Sequence, residues 1–166
     1  MIILGFDPGT QTTGYGVLEL DDGNHVFHRG HGVIDTKKRA GATEETRMVR
    51  LREQVREVCK RFQPDAVAAE DVFVGVNRKS AITLAHYRGI LVEACAEEGH
   101  RVVSFKPTAV KKVAAGTGKA SKEDVQVAIQ KTLRLGELPS PDHAARYGQE
   151  LCMAVRRLPR WTSLPR

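Results

Sequence analysis

The chain has 166 residues, 41% of them hydrophobic and 28% charged, with a formal charge of +6. That length fits one domain able to bury roughly two thirds of its unfolded surface, and no apolar run approaches the ~18 residues of a membrane-spanning helix. The basic balance fits a polyanionic partner, although solvated basic faces are common and charge alone is a weak indication.

The first element is an apolar run, Ile2 to Asp7, read as a buried strand that ends on a carboxylate. Met1 enters this strand with no basic leader or cleavage site, so neither export nor a membrane is expected, and a cytoplasmic protein is. Gly9-Thr10-Gln11-Thr12-Thr13 turns tightly into a second strand, Gly14 to Leu20, and Asp21-Asp22-Gly23-Asn24 is a hairpin signal into a third, Val26 to Ile34. Three antiparallel strands are therefore expected at the start.

A helix is predicted from about Thr43 to Arg61, because Met48, Leu51, Val55, Val58 and Phe62 recur at i, i+3, i+4 spacing while arginines and glutamates fill the other faces. Pro64 precedes a fourth strand, Ala66 to Glu70, which again delivers an acid at its tip. Ser80 to Glu98 reads as a second helix, apolar on much of its circumference through Ile82, Leu84, Ala85, Leu91 and Cys95. Such a helix must bury two faces, one on the sheet and one on something else, for which a partner subunit is the candidate. Arg101 to Phe105 supplies a short fifth strand.

Beyond it the pattern changes to Lys-rich helical pieces broken by glycine. Residues 101–134 hold eight basic side chains against two acidic ones, an excess equal to that of the whole chain. Ser140-Pro141 reads as an N-cap with proline at the first helical position, opening a last helix through Asp142, His143, Ala144, Tyr147, Leu151 and Val155. Residues 1–157 are expected to form one domain, with 158–166 a short tail. Cys59, Cys95 and Cys152 are odd in number, far apart in sequence and set among apolar helical neighbours, which fits buried reduced thiols in a reducing compartment.

The two strand-end acids carry the chemistry. Asp7 before Pro8-Gly9 is, alone, an ordinary turn starter. Glu70 closes a run that otherwise belongs in a core, where an unneutralised carboxylate would cost several kcal/mol. If the two strands are neighbours, both acids converge as hard oxygen ligands suited to Mg²⁺ or Mn²⁺ acting on a phosphate. Asp71 is expected to face the other way by strand alternation and to serve as a loop or helix-start charge.

Ile3-Leu4-Gly5-Phe6-Asp7-Pro8-Gly9-Thr10, Glu70-Asp71-Val72-Phe73 with Asn77, and Ala109-Val110-Lys111-Lys112 leading to Gly116-Thr117-Gly118-Lys119-Ala120-Ser121-Lys122 together resemble the RuvC family of Holliday junction resolvases. The resemblance runs to about Ala145. It implies an α/β, ribonuclease H-like fold: a five-stranded mixed sheet, three antiparallel N-terminal strands plus two parallel ones, flanked by helices. It further implies a homodimer, Mg²⁺-dependent symmetric cleavage of four-way junction DNA, and a working relationship with the branch-migration proteins RuvA and RuvB.

Carried over residue by residue, Asp7 and Glu70 match the family's first two metal ligands. Two Mg²⁺ ions per site, with Mn²⁺ able to substitute, would lie about 3.5–4 Å apart across the scissile phosphate. Phe73 matches an aromatic that stacks on bases, worth about 1–3 kcal/mol per base. Lys111 and Lys122 match basic residues important for cleavage. Lys106, Lys112 and Lys119 read as further phosphate contacts, and Asn77 and Lys79 complete the candidate DNA-binding set.

The family closes its site on the last helix with two residues three apart, an acid or histidine and then an aspartate. His143 aligns with the first position, but Arg146 stands at the second. At an effective dielectric near 20, a unit positive charge about 6 Å from a divalent ion costs several kcal/mol. Asp142 is the candidate substitute, which makes Asp7, Glu70, His143 and Asp142 the expected metal ligands; Glu150, two turns further along, is more remote. The divergence after Ala145 has the look of a reading-frame shift, yet Ala144, Tyr147, Leu151, Ala154, Val155 and Leu158 keep a helical stripe, and both explanations stand.

Two rival readings remain. The opening Asp7-Pro8-Gly9-Thr10 also resembles the first phosphate loop of actin-like ATPases and sugar kinases, which need two lobes and more chain than this. A junction-binding module without cleavage, disabled by Arg146, is the other.

Overall fold

The computed structural model describes residues 1–23, 25–37, 39–72 and 78–133, with the separate positions 137 and 139. Five strands, β1 (Ile2–Asp7), β2 (Thr12–Leu20), β3 (Val26–Asp35), β4 (Ala66–Glu70) and β5 (Val102–Phe105), form one sheet in the order β3-β2-β1-β4-β5. β1, β2 and β3 pair antiparallel, whereas β4 joins β1 and β5 joins β4 in parallel. This is the mixed sheet expected from the sequence. Among the described residues four helices accompany it: α1 (Glu44–Phe62), α2 (Arg78–Glu97), α3 (Pro107–Ala115) and α4 (Lys122–Leu133).

Strand alternation divides the core into two layers. Leu4, Phe6, Val17, Val67 and Ala69 pack on one face against Leu51 and Val55 of α1 and Tyr87, Leu91 and Cys95 of α2. On the other face Ile3, Leu20, Ala66, Ala68 and Phe105 meet Val110 of α3, and Leu18 meets Val125, Ile129 and Leu133 of α4. Period-2 burial therefore sends Asp7 and Glu70 to the α3 side, because they follow Ile3 and Ala68 in the alternation.

Local chemistry sets the helix ends. Thr43 caps α1 by accepting the Thr46 N–H at 3.3 Å, and Glu44 and Glu45 complement the first-turn dipole. Gln63 closes α1 in the left-handed region at φ 45°, its N–H on the Cys59 carbonyl at 2.8 Å, and Pro64 cannot continue the helix. A reciprocal pair caps α4: Ser121 Oγ accepts the Asp124 N–H at 3.0 Å while Asp124 Oδ2 accepts the Ser121 N–H at 2.9 Å. Arg52, Arg56 and Lys60 of α1 face Glu93, Glu97 and Glu98 at the α2 end in a cross-helix ladder, with Arg56 Nε 2.6 Å from Glu98 Oε1.

Cys59 and Cys95 are free, buried thiols whose sulfurs lie 4.0 Å apart between α1 and α2. That matches the expectation for these two; Cys152 lies outside the described residues. Among the described residues no helix is long and apolar enough to cross a membrane. The sequence makes α2 apolar on much of its circumference, but its buried residues are Ala81, Tyr87, Leu91, Ala94 and Cys95, and Ile82 stands 59% exposed. One covered face and one open one result.

Candidate active site

The register of β1 on β4 brings the two acids level. Asp65 pins the start of this pair: its carboxylate accepts the Ile2 N–H at 2.6 Å and its own N–H donates to the Ile2 carbonyl at 2.9 Å. From there Ile3 faces Ala66 and Phe6 faces Ala69, so the next step sets Asp7 beside Glu70. Neighbouring strands lie about 4.8 Å apart and the two side chains share a face. Both residues are half-buried. Glu70 thus sits at a mouth rather than in the core, where desolvation weighs less than the sequence alone implies.

Asp7, Pro8, Glu70, Asp71, Val72 and Leu84 line a cleft of about 170 Å³. That is below the roughly 300–1,000 Å³ of typical small-molecule pockets. Space of this size suits ions and one phosphate group, not an enclosed nucleotide, and weighs against the ATPase reading. Two hard carboxylates on one face of such a cleft are a donor set that fits Mg²⁺ or Mn²⁺. Among the described residues no group of three or more metal-ligating side chains occurs. The further candidates, Asp142 and His143, lie outside the described residues, as do Arg146, Glu150, Phe73 and Asn77.

The loop after Asp7 is held from several sides. Pro8 keeps Asp7 extended. Gly9 leaves no room for a side chain, since a Cβ there would fall 2.1 Å from the Thr12 carbonyl oxygen. Thr13 Oγ1 both accepts the Gly9 N–H and donates to the Gly9 carbonyl, each at 3.4 Å. Thr36 donates its N–H to the Gln11 carbonyl at 2.9 Å. Arg47 reaches across from α1, donating to the Thr36 carbonyl at 2.7 Å and to the Thr10 carbonyl, with its guanidinium 5.5 Å from the Tyr87 ring centre.

Glu70 also faces Phe105 of β5, so Lys106, the N-cap of α3, begins at the same sheet edge as the acids. Lys111 is half-buried on α3; Lys112, Lys119 and Lys122 are exposed on the α3–α4 layer, with Lys122 fixed at the start of α4 by the Ser121 cap. This layer covers the sheet face that bears Asp7 and Glu70. Lys79 is exposed in the first turn of α2, where Arg78 and Lys79 stand without an acidic residue. That end of the helix favours an anion.

Asp71 turns toward α2, on the sheet face opposite α3, as alternation predicts, and it also borders the cleft. Its N–H extends the β4–β5 ladder to the Phe105 carbonyl at 3.0 Å, and Oδ1 accepts Arg88 Nη2 at 3.3 Å. Arg88 was not foreseen; its signal is a lone arginine between the core residues Tyr87 and Leu91.

The arrangement, a ribonuclease H-like sheet whose adjacent strand tips hold carboxylates over a phosphate-sized cleft beside a lysine-rich layer, places this chain among the nucleases. The family model for crossover junction endodeoxyribonuclease RuvC matches residues 3–155. The chain is 41% identical over 145 residues to the RuvC of Pseudothermotoga lettingae, covering 87% of this chain and 88% of that one. It is 40% identical over 145 residues to the RuvC of Chloroflexus aggregans, covering 87% of each. A solved structure of Thermus thermophilus RuvC in complex with a Holliday junction substrate superposes with a TM-score of 0.83 at 31% identity over 93% of both chains. The chain belongs to the RuvC family of crossover junction endodeoxyribonucleases. The family match continues past Ala145, where the quoted motifs stop.

Proposed function

We propose that this protein resolves four-way DNA junctions in recombination and repair by symmetric, metal-dependent phosphodiester hydrolysis that leaves ligatable nicks. The carrying observation is the level pairing of Asp7 with Glu70 on one face of the sheet, opening on one cleft, in a chain of this family. Asp7 and Glu70 hold the metal from the sheet, and Asp142 or His143 completes the set. Two Mg²⁺ per site, replaceable by Mn²⁺, would supply Lewis-acid activation of a water and charge neutralisation at the leaving 3′ oxygen.

The rest falls to the chain itself. Lys111 and Lys122 meet the backbone near the scissile phosphate, and Lys79, Lys106, Lys112 and Lys119 hold the flanking strands. Phe73 stacks on a base where pairing is lost at the crossover, and Asn77 contacts the same strand. Residues 1–157 constitute the nuclease domain, and 158–166 a tail.

A homodimer is the reading that the open face of α2 supports, with Ile82, Ala85 and Gly89 at i, i+3, i+7. Small residues there let a second copy of the helix approach across a twofold axis. Two sites related by that axis would cut opposed strands symmetrically. A cytoplasmic location agrees with the free Cys59 and Cys95 thiols. Cooperation with RuvA and RuvB rests on family membership.

The decisive experiment incubates the protein with a synthetic four-way junction and Mg²⁺ or Mn²⁺. Paired, ligatable nicks at symmetric positions are expected, with none on linear duplex. Binding without nicks would favour the module disabled by Arg146.

Truncating either Lys111 or Lys122 to alanine is expected to slow cleavage by about 10-fold or more, since each stabilises charge near the reacting phosphate. Each loss of a phosphate contact should also reduce the slope of log affinity against log salt by about 0.9. A salt titration of junction binding, read by anisotropy, checks this. An unchanged slope would take the altered lysine off the backbone.

A further inference from the structure

We infer that Arg88 is a positioning residue for cleavage, holding the end of β4 so that Glu70 is presented to the metal. The inference rests on Glu70 being a metal ligand. Arg88 rises from α2 and lays its guanidinium over the ends of β4 and β5. Nε donates to the main-chain carbonyl of Glu70 at 3.0 Å. Nη2 donates to Asp71 Oδ1 at 3.3 Å and to Ser104 Oγ.

Nε and Nη2 lie on one edge of the planar guanidinium, so a single rigid fork reads three acceptors from two strands. The Arg88 side chain is 21% exposed and Asp71 43% exposed, so the ion pair alone is a weak, partly screened contact. The bond to the Glu70 carbonyl is different, because it orients the peptide unit attached to the Cα that bears the carboxylate. Asp71 meanwhile bonds through its N–H to the Phe105 carbonyl, so β4, β5 and α2 are tied at one point.

The same fork separates two adjacent acids. Glu70 and Asp71 both line the cleft. Arg88 engages the carboxylate of Asp71 but only the main-chain carbonyl of Glu70. A misplacement of about 1 Å at such a centre costs on the order of 10²-fold in rate. Lysine, a point charge on a flexible stem, cannot reproduce the fork.

The test measures single-turnover junction cleavage against Mg²⁺ concentration, with junction affinity measured separately in EDTA. R88A is expected to lose about 10- to 100-fold in rate and to need several-fold more Mg²⁺ for half-maximal cleavage, while affinity in EDTA stays within about twofold. R88K should stay within about threefold of R88A. S104A, which removes one acceptor and leaves the fold intact, should lose about threefold with a smaller Mg²⁺ shift; it decides the matter if R88A does not fold. Wild-type rate and Mg²⁺ dependence in a folded R88A, or in S104A if it alone folds, or full activity in R88K, would overturn the inference. E70Q in parallel separates the two levels. If E70Q cuts normally, the site itself is misread; if E70Q is inactive while R88A cuts normally, only the positioning role falls.

Discussion

Asp7→Asn is expected to lower the single-turnover cleavage rate by about 10³-fold or more while leaving junction binding within a few-fold of wild type. The substitution keeps the shape of the side chain and removes its unit charge. Asp7 is level with Glu70 on the α3 face and lines the same cleft, so it is placed to share a cation with that residue. A rate loss of 10³ corresponds to about 4 kcal/mol of barrier, within what a carboxylate contributes to a divalent ion that neutralises developing phosphate charge. On the proposed reading, binding draws on other groups, chiefly the lysines of α3 and α4, and a carboxylate near DNA phosphates repels them when no metal is present. Affinity in EDTA should therefore be unchanged or slightly tighter. Gel-resolved cleavage of a labelled junction reads the first quantity and anisotropy the second. Cleavage at the wild-type rate would remove Asp7 from the site.

The features on which that expectation depends were legible to different degrees. An apolar run that ends on an acid is a local signal, and it occurs twice, so the sequence sufficed to name Asp7 and Glu70. The sheet was also readable, because the hairpin signals around Gly23 force three antiparallel strands and the intervening α1 allows β4 to return parallel to β1. What fixes the two acids at the same height was not readable. Asp65 meets Ile2 across a separation that no local pattern encodes, and Arg47 closes on Thr10 and Thr36 in the same long-range way. Arg88 escaped notice for a related reason: on a helix, an arginine among apolar residues looks like a solvated head until the strands beneath it are known.

The charge distribution reads similarly. Counting lysines located the basic excess between residues 101 and 134. Only the fold places that stretch as a separate layer over the sheet face bearing Asp7 and Glu70, with Phe105 leading directly from the register of Glu70 into Lys106. The strand-tip acids and the basic side chains are thereby kept on different elements. On the proposed reading, a phosphate drawn to the lysines would arrive beside the carboxylates of the β1–β4 row.

Gly9→Ala is expected to reduce cleavage by about 10²-fold or more and to cost about 1–3 kcal/mol of stability. The argument is spatial. A Cβ at residue 9 would lie 2.1 Å from the Thr12 carbonyl oxygen, an atom of the backbone that cannot rotate aside. Either the loop lifts away from β2 or the start of β2 shifts. Both movements break the bracket of Gly9 by Thr13 Oγ1, and both work against the ties from Thr36 to Gln11 and from Arg47 to Thr10. Asp7 is two residues away, so the strain is relieved at the carboxylate. Gly41→Ala is the matched control. Gly41 adopts φ +75° with nothing within 4 Å of an added Cβ, so alanine there meets backbone strain without a clash. It should lose about 1 kcal/mol of stability and keep its cleavage rate. Denaturant unfolding and single-turnover cleavage of the two variants separate a general loss of stability from displacement of Asp7. If Gly9→Ala cleaves as fast as Gly41→Ala, the Pro8–Gln11 loop does not set the position of the carboxylate.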